Sequence, residues 1–164
     1  MSRKTVLIAA IILAVAALAL LVYLLASGLP GSSSQLRELD ANAQKWESQH
    51  VGHYRMNVHI GCFCPFFDRM PVTVEVLDGE VVSVIDSQGR HVPQDDPLRA
   101  FDNAKLMTVQ GVFAYAREAI RTADETTVSY DAALGYPVSL SIGRIKLAMD
   151  DELAVRISEL QVLP

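Results

Sequence analysis

The chain has 164 residues, and its formal charge of −5 comes from 14 basic and 19 acidic side chains. Arg3 and Lys4 are the only charges in residues 1–28, so the remainder carries 12 basic and 19 acidic residues, an excess of seven negative charges that argues against nucleic acid and against an anionic lipid surface as partners. Seven prolines and nine glycines are ordinary for a folded chain, and the stretch beyond residue 28 has the length of one domain.

Thr5 to Ala26 is a run of 22 residues without a charge. At about 1.5 Å per residue it would cover roughly 33 Å, enough for a bilayer core of about 30 Å. A cleavable signal peptide has a shorter apolar region, and although Ala26-Ser27-Gly28 resembles a cleavage site, length favours an uncleaved anchor. No cysteine near its end offers a lipid attachment point. Arg3 and Lys4 precede the run and the next basic residue is Arg37, so the positive-inside rule places the N-terminus in the cytoplasm and the rest outside. The predicted organisation is a membrane anchor over 1–28, a linker over 29–34 and an extracytoplasmic domain over 35–164.

Ser34 is positioned as an N-cap for a helix over 35–48, with Leu36, Leu39, Ala43 and Trp46 as its apolar stripe and Trp46 as a core anchor. Gly52 to Cys64 alternates like a strand. Tyr54, Met56, Val58, Ile60, Cys62 and Cys64 share the buried face, opposite His53, Arg55, Asn57, His59 and Phe63. Pro71 to Asp86 reads as a hairpin about Asp78-Gly79, pairing Val76 with Val81, Val74 with Ser83 and Val72 with Ile85. Leu77, Val82 and Val84 then fall on the second face, predicting that this face is also partly covered.

Residues 87–107 have no period and contain Gly89, Pro93 and Pro97, so they read as a long loop. Arg90, His91, Leu98 and Phe101 are its candidate partner-binding residues, and removal of residues 90–105 is expected to spare folding. Thr108 caps a predicted helix over 109–122 whose buried stripe is Val109, Val112, Phe113, Ala116 and Ile120. Strands follow over 127–131, 136–142 and 153–160, with Gly135 turning between the first two, while residues 143–152 suit either a strand or a long turn. Helix and three strands, twice over, predict an α+β domain: an antiparallel sheet of about six strands with two helices on one face, after the transmembrane helix.

Cys62-Phe63-Cys64 admits three chemistries. Outside the cytoplasm two cysteines favour a disulfide, although residues i and i+2 of an extended strand stand roughly 6.6–6.8 Å apart, the upper limit for the bond. Gly61 and Pro65 could supply the bend. The thiols could instead bind a soft metal, copper(I) or zinc, with Met56 or Met70, or they could act as a redox or intermolecular thiol pair. His50-x-x-His53 and His59 read as solvent-facing, and Asp150-Asp151-Glu152 lacks the spaced oxygen cage of a calcium loop. Without a nucleophile elbow, phosphate loop or zinc-protease helix, the residues predict a non-catalytic module without a cofactor. Its expected partners are the membrane and a protein or cell-envelope ligand.

In order along the chain come Trp46, Tyr54, Cys62-Phe63-Cys64, Pro71-Val72-Thr73-Val74 with Asp78-Gly79, Tyr130-Asp131, Gly135-Tyr136-Pro137 and Asp150-Asp151-Glu152. This series resembles a bacterial family catalogued as domain of unknown function 6174, over nearly all of residues 36–162. The resemblance implies an envelope protein, secreted or lipid-anchored in many relatives, and implies no activity. The helix-and-strand order is also similar to small envelope domains of the PepSY and beta-lactamase-inhibitor-protein type, which bind other proteins; that likeness is one of fold alone.

Overall fold

The computed structural model describes residue 18 and residues 32–62, 64–143 and 152–164. Apart from Leu18, the expected membrane segment lies outside the described residues, as do Phe63 and most of the acidic Asp150–Glu152 cluster. Among the described residues no helix is long and apolar enough to cross a membrane. Residues Gln35–Pro164 form one compact unit.

Helix α1 runs Ser32–Ser48. It begins upstream of the expected start, so Ser34 lies inside it rather than capping it. A serine costs a helix no more than about 0.7 kcal/mol relative to alanine, too little to stop it within the serine run. The helix ends at Ser48, and His50, with φ of +52°, turns the chain into the first strand. Strand β1, His53–Gly61, buries Tyr54, Met56, Val58 and Ile60 and turns Arg55, Asn57 and His59 the other way, as its alternation requires.

Strands β2 (Val72–Leu77) and β3 (Glu80–Ile85) form the hairpin. Asp78 and Gly79 both have positive φ, +50° and +82°, the requirement of a type I′ turn. The expected register holds for Val76 with Val81 and then breaks. Glu75 pairs Ser83, Val74 pairs Val84 and Thr73 pairs Ile85. Val82 is the extra residue of a β-bulge, and because side chains alternate, that residue exchanges the faces of everything after it. Val84 therefore lies in the core at 0% exposure, whereas Val82 is 51% and Ile85 38% exposed.

Residues 87–107 are more ordered than a bare loop. His91 makes a backbone bridge with Ile85, Pro97–Arg99 is a 3₁₀ turn, and Ala100–Asn103 is a short helix, α2. Helix α3 spans Val109–Thr122, and the Thr108 hydroxyl caps it by accepting from the Gly111 N–H at 3.1 Å. Strands β4 (Glu125–Tyr130), β5 (Pro137–Gly143) and β6 (Glu152–Val162) follow.

The six strands among the described residues join one antiparallel sheet in the order β3-β2-β1-β6-β5-β4. The first and last strands are thus central neighbours, and each half contributes a three-stranded meander. Tyr54 shows which face carries the helices. Its ring meets Trp46 of α1 edge to face at 5.5 Å, and its hydroxyl accepts from the N–H of Val109, the first residue of α3, at 3.0 Å. Trp46 also meets Tyr136 at 6.0 Å, so three residues that carried the family resemblance form one aromatic cluster in the core. Burial pushes the Tyr54 hydroxyl up to about 12.

The second face is polar over its centre. Glu75 binds His53 at 3.0 Å and Arg55 at 2.8 Å, while Asn57 links Thr73 to Glu159. Glu159, with φ +53°, marks the irregularity at which β1 and β6 shift register.

Candidate functional site

The chain leaves the sheet at Gly61 and re-enters it at Val72, and the intervening tip holds the cysteines. Cys62 and Cys64 are bonded to each other, with their Cα atoms 5.2 Å apart. An extended chain would hold them farther apart. The two residues are drawn together, and the Cys64 N–H donates to the Cys62 carbonyl at 2.8 Å. The strand therefore stops before the cysteines rather than running through them, and the expected extension of β1 to Cys64 is corrected.

Phe66 and Phe67 follow Pro65 and point to opposite fates. Phe66 packs edge to face against Phe101 of α2 at 6.0 Å, whereas Phe67 is 72% exposed. Phe67–Arg69 forms a 3₁₀ turn, closed in part by the Arg69 N–H donating to the Phe66 carbonyl at 3.0 Å. A cis Met70–Pro71 bond leads into β2.

Arg69 fastens the tip to the segment after β3. Its guanidinium donates to both Asp96 oxygens at 2.9 and 3.0 Å and lies 3.4 Å from Asp86 Oδ2. A planar fork meeting a carboxylate with two parallel bonds is the most directional ion pair available to a protein. The Ser87 N–H and hydroxyl add bonds to the Arg69 and Asp68 carbonyls, both at 3.1 Å. Asp86 also accepts from Arg90 Nη2 at 2.8 Å and from the backbone of Gln88 and Arg90. These donors, the Arg90 guanidinium first, hold the Asp86 carboxyl down at about 2. The Arg69 guanidinium likewise lowers Asp96.

Cys62, Cys64, Pro65 and Phe67 line an open cleft of about 470 Å³. Both cysteines are partly exposed there. The bridge closes a loop of only three residues, which by chain entropy stabilises the fold by about 1.6 kcal/mol, against about 3 kcal/mol for a 15-residue loop. The tip is held principally by its ion pairs and by Phe66.

The expected contact loop is not one exposed surface. Arg90 is exposed but paired with Asp86, and His91 is exposed beside its backbone bridge to Ile85. Leu98 is a core residue at 0% exposure, and Phe101 is half-buried against Phe66. Val92 is buried as well, and the burial of Val92 and Leu98 stands against the expectation that residues 90–105 can be removed without unfolding. The reason is that Asp96 and Pro97 start a helical turn, an N-cap followed by proline, with the Asp96 carboxylate accepting from the Leu98 N–H at 2.9 Å. That signal was present in the sequence.

The alternative metal set does not assemble either. The two sulfurs are bonded to each other and offer no thiolate, while Met56 and Met70 are core side chains at 1% and 7% exposure. Among the described residues no three His, Cys, Asp or Glu side chains gather as a metal site. His50 and His91 are exposed, His59 is half-buried, and His53 is held between Glu75 and the Pro164 carbonyl. Phe67, Arg69, Asp86 and Asp96 complete the site. Of these, the Pro65-Phe66-Phe67 run between two strands was the one readable hint, since two adjacent aromatics in a short turn cannot both face a core.

Comparison of the chain with curated proteins and with solved structures gives no match. A family model described as "Family of unknown function (DUF6174)" matches residues 38–162, from the middle of α1 to the end of β6 and including the cysteine bridge, and the chain therefore belongs to that family.

Proposed function

We propose that the chain is a membrane-anchored extracytoplasmic binding module, and that its contact surface is the bridged tip rather than the 87–107 segment. The observation that carries this reading is Phe67, 72% exposed on a tip fastened by the Arg69–Asp96 fork. An exposed aromatic on a rigid support is the usual form of an interface anchor, because little conformational freedom is lost when it docks. Pro65 and the disulfide extend the apolar surface beside it. The partner is a protein or an envelope component presenting an apolar group of cleft size. Anchoring rests on the uncharged run Thr5–Ala26 behind Arg3 and Lys4.

A photocrosslinking amino acid placed at position 67 in cells should give one discrete adduct, and the same label at the exposed Arg121 should not. Phe67→Ser should melt at the wild-type temperature within about 0.5 kcal/mol of stability, as exposed positions do. Indistinguishable labelling from positions 67 and 121 would remove the tip from consideration. Retention of the chain in membranes after alkaline carbonate extraction tests the anchor; release to the supernatant would refute it.

A further inference from the structure

We infer that the Cys62–Cys64 bridge is an exchange site, which accepts electrons from a polypeptide carrying two thiols and returns that polypeptide as a disulfide. This goes beyond docking, since it assigns chemistry to the sulfurs themselves.

The first ground is that the bond ties no distant elements together. It joins residues two positions apart, outside the sheet, between the end of β1 and the 3₁₀ turn. The tip is attached to the body of the domain by Arg69 with Asp96 and Asp86, by Ser87 and by the Phe66–Phe101 contact. None of these contacts runs through the bond. A change of redox state is therefore confined to the tip, as an exchangeable disulfide requires.

The second ground is access. Thiol–disulfide exchange needs a thiolate to reach a sulfur, and both cysteines are partly exposed on an open cleft. The third is the wall of that cleft. Pro65 and Phe67 line the cleft together with the two cysteines and give it apolar surface, suited to the apolar residues that flank cysteines in a chain not yet folded. Glutathione lacks such flanks and should gain nothing from the wall.

One thiolate of the incoming polypeptide attacks one sulfur of the bridge; a mixed disulfide forms, and the electron pair of the broken bond leaves on the other cysteine, which takes a proton. The second thiolate of the polypeptide attacks its own sulfur in the mixed disulfide and displaces the remaining cysteine as thiolate, which is protonated in turn. Two thiols of the polypeptide are oxidised to one disulfide, Cys62 and Cys64 are reduced to thiols, and the two protons released by the polypeptide end on them.

The full-length oxidised chain in detergent can be mixed with one equivalent of a synthetic peptide holding two cysteines flanked by leucine and phenylalanine, then acid-quenched, alkylated and weighed. The chain should gain two alkyl groups and the peptide none, at a rate at least about tenfold above that with reduced glutathione at equal thiol and thiolate concentration. Phe67→Ser should lose that advantage and keep the glutathione rate. A bridge that stays closed in the native chain and opens only in denaturant would overturn the inference while leaving docking at Phe67 standing. Rapid exchange unchanged in Phe67→Ser would retain the exchange site and refute docking. The double variant Cys62→Ser/Cys64→Ser supplies the control on folding: a cooperative melt within about 10 °C of wild type agrees with a chemical role. Loss of the folded state in that variant would overturn the inference, because the bond would then be structural.

Discussion

The Asp86 carboxylate accepts from two backbone N–H groups and lies against two guanidinium groups, with no exposed side-chain surface. Its folded pKa of about 2 lies below its ordinary 3.8, so the unfolded chain binds the proton more tightly. Its contribution to stability is therefore complete above about pH 4 and is lost as the pH falls through about 2. Asp86→Asn should lower the melting temperature at neutral pH, and its melting curve should converge on that of the wild type as the pH falls to about 2. A constant offset between the two proteins across that window would show that Asp86 acts by packing alone. Arg69, Asp86 and Asp96 were invisible as a unit in the sequence, since they are 17 and 27 positions apart and only the fold brings them together. The cysteines were visible as a pair because their relation is local.

Among the elements, the β2–β3 hairpin separates local from non-local information most clearly. Asp78-Gly79 announced the turn and the first pair, Val76 with Val81, followed. The bulge at Val82 did not announce itself, because Val81, Val82 and Val84 are equally good strand formers and the choice of which valine faces inward is made by the core. Val84→Thr should cost about 1–3 kcal/mol by burying a hydroxyl, whereas Val82→Thr should be nearly neutral. Denaturant titrations giving the reverse order would restore the unbulged register. Helix α3 offers a second case. Gly111 is a poor helix former, and replacement by alanine would ordinarily gain about 1 kcal/mol. Here a Cβ would stand 1.8 Å from the Lys105 carbonyl oxygen, a backbone atom that cannot move aside without shifting the segment that enters the helix. Gly111→Ala should therefore lower the melting temperature; an increase would mean that the Lys105–Gly111 approach is looser than described.

Across the molecule, the central β1–β6 contact joins strands from opposite ends of the domain, and the 87–107 segment supplies part of the same core. Deleting residues 90–105 removes Val92 and Leu98, two fully buried side chains each worth about 1.5–3 kcal/mol, together with Asp96. Together the two side chains amount to about 3–6 kcal/mol, which reaches the lower end of the about 5–15 kcal/mol that a whole domain has to spare. The deletion should abolish cooperative unfolding by circular dichroism. A sharp melt in the deleted protein would mean that the segment is dispensable after all.

By itself the sequence determined the α+β class, the six strands, the inward faces of β1 and α3, the Asp78-Gly79 turn and the cap at Thr108. Each is written in a period of two or 3.6 residues, or in the side chain of a neighbour, and needs no knowledge of distant parts of the chain. Only the tertiary structure decided the strand order, the bulge that buries Val84, the burial of Leu98 and the ion pairs beneath the tip. It also decided that β1 stops at Gly61, so that the cysteines bend to meet. These depend on which apolar surfaces compete for one core and on which charges are brought together when it closes, and neither is a property of any short segment.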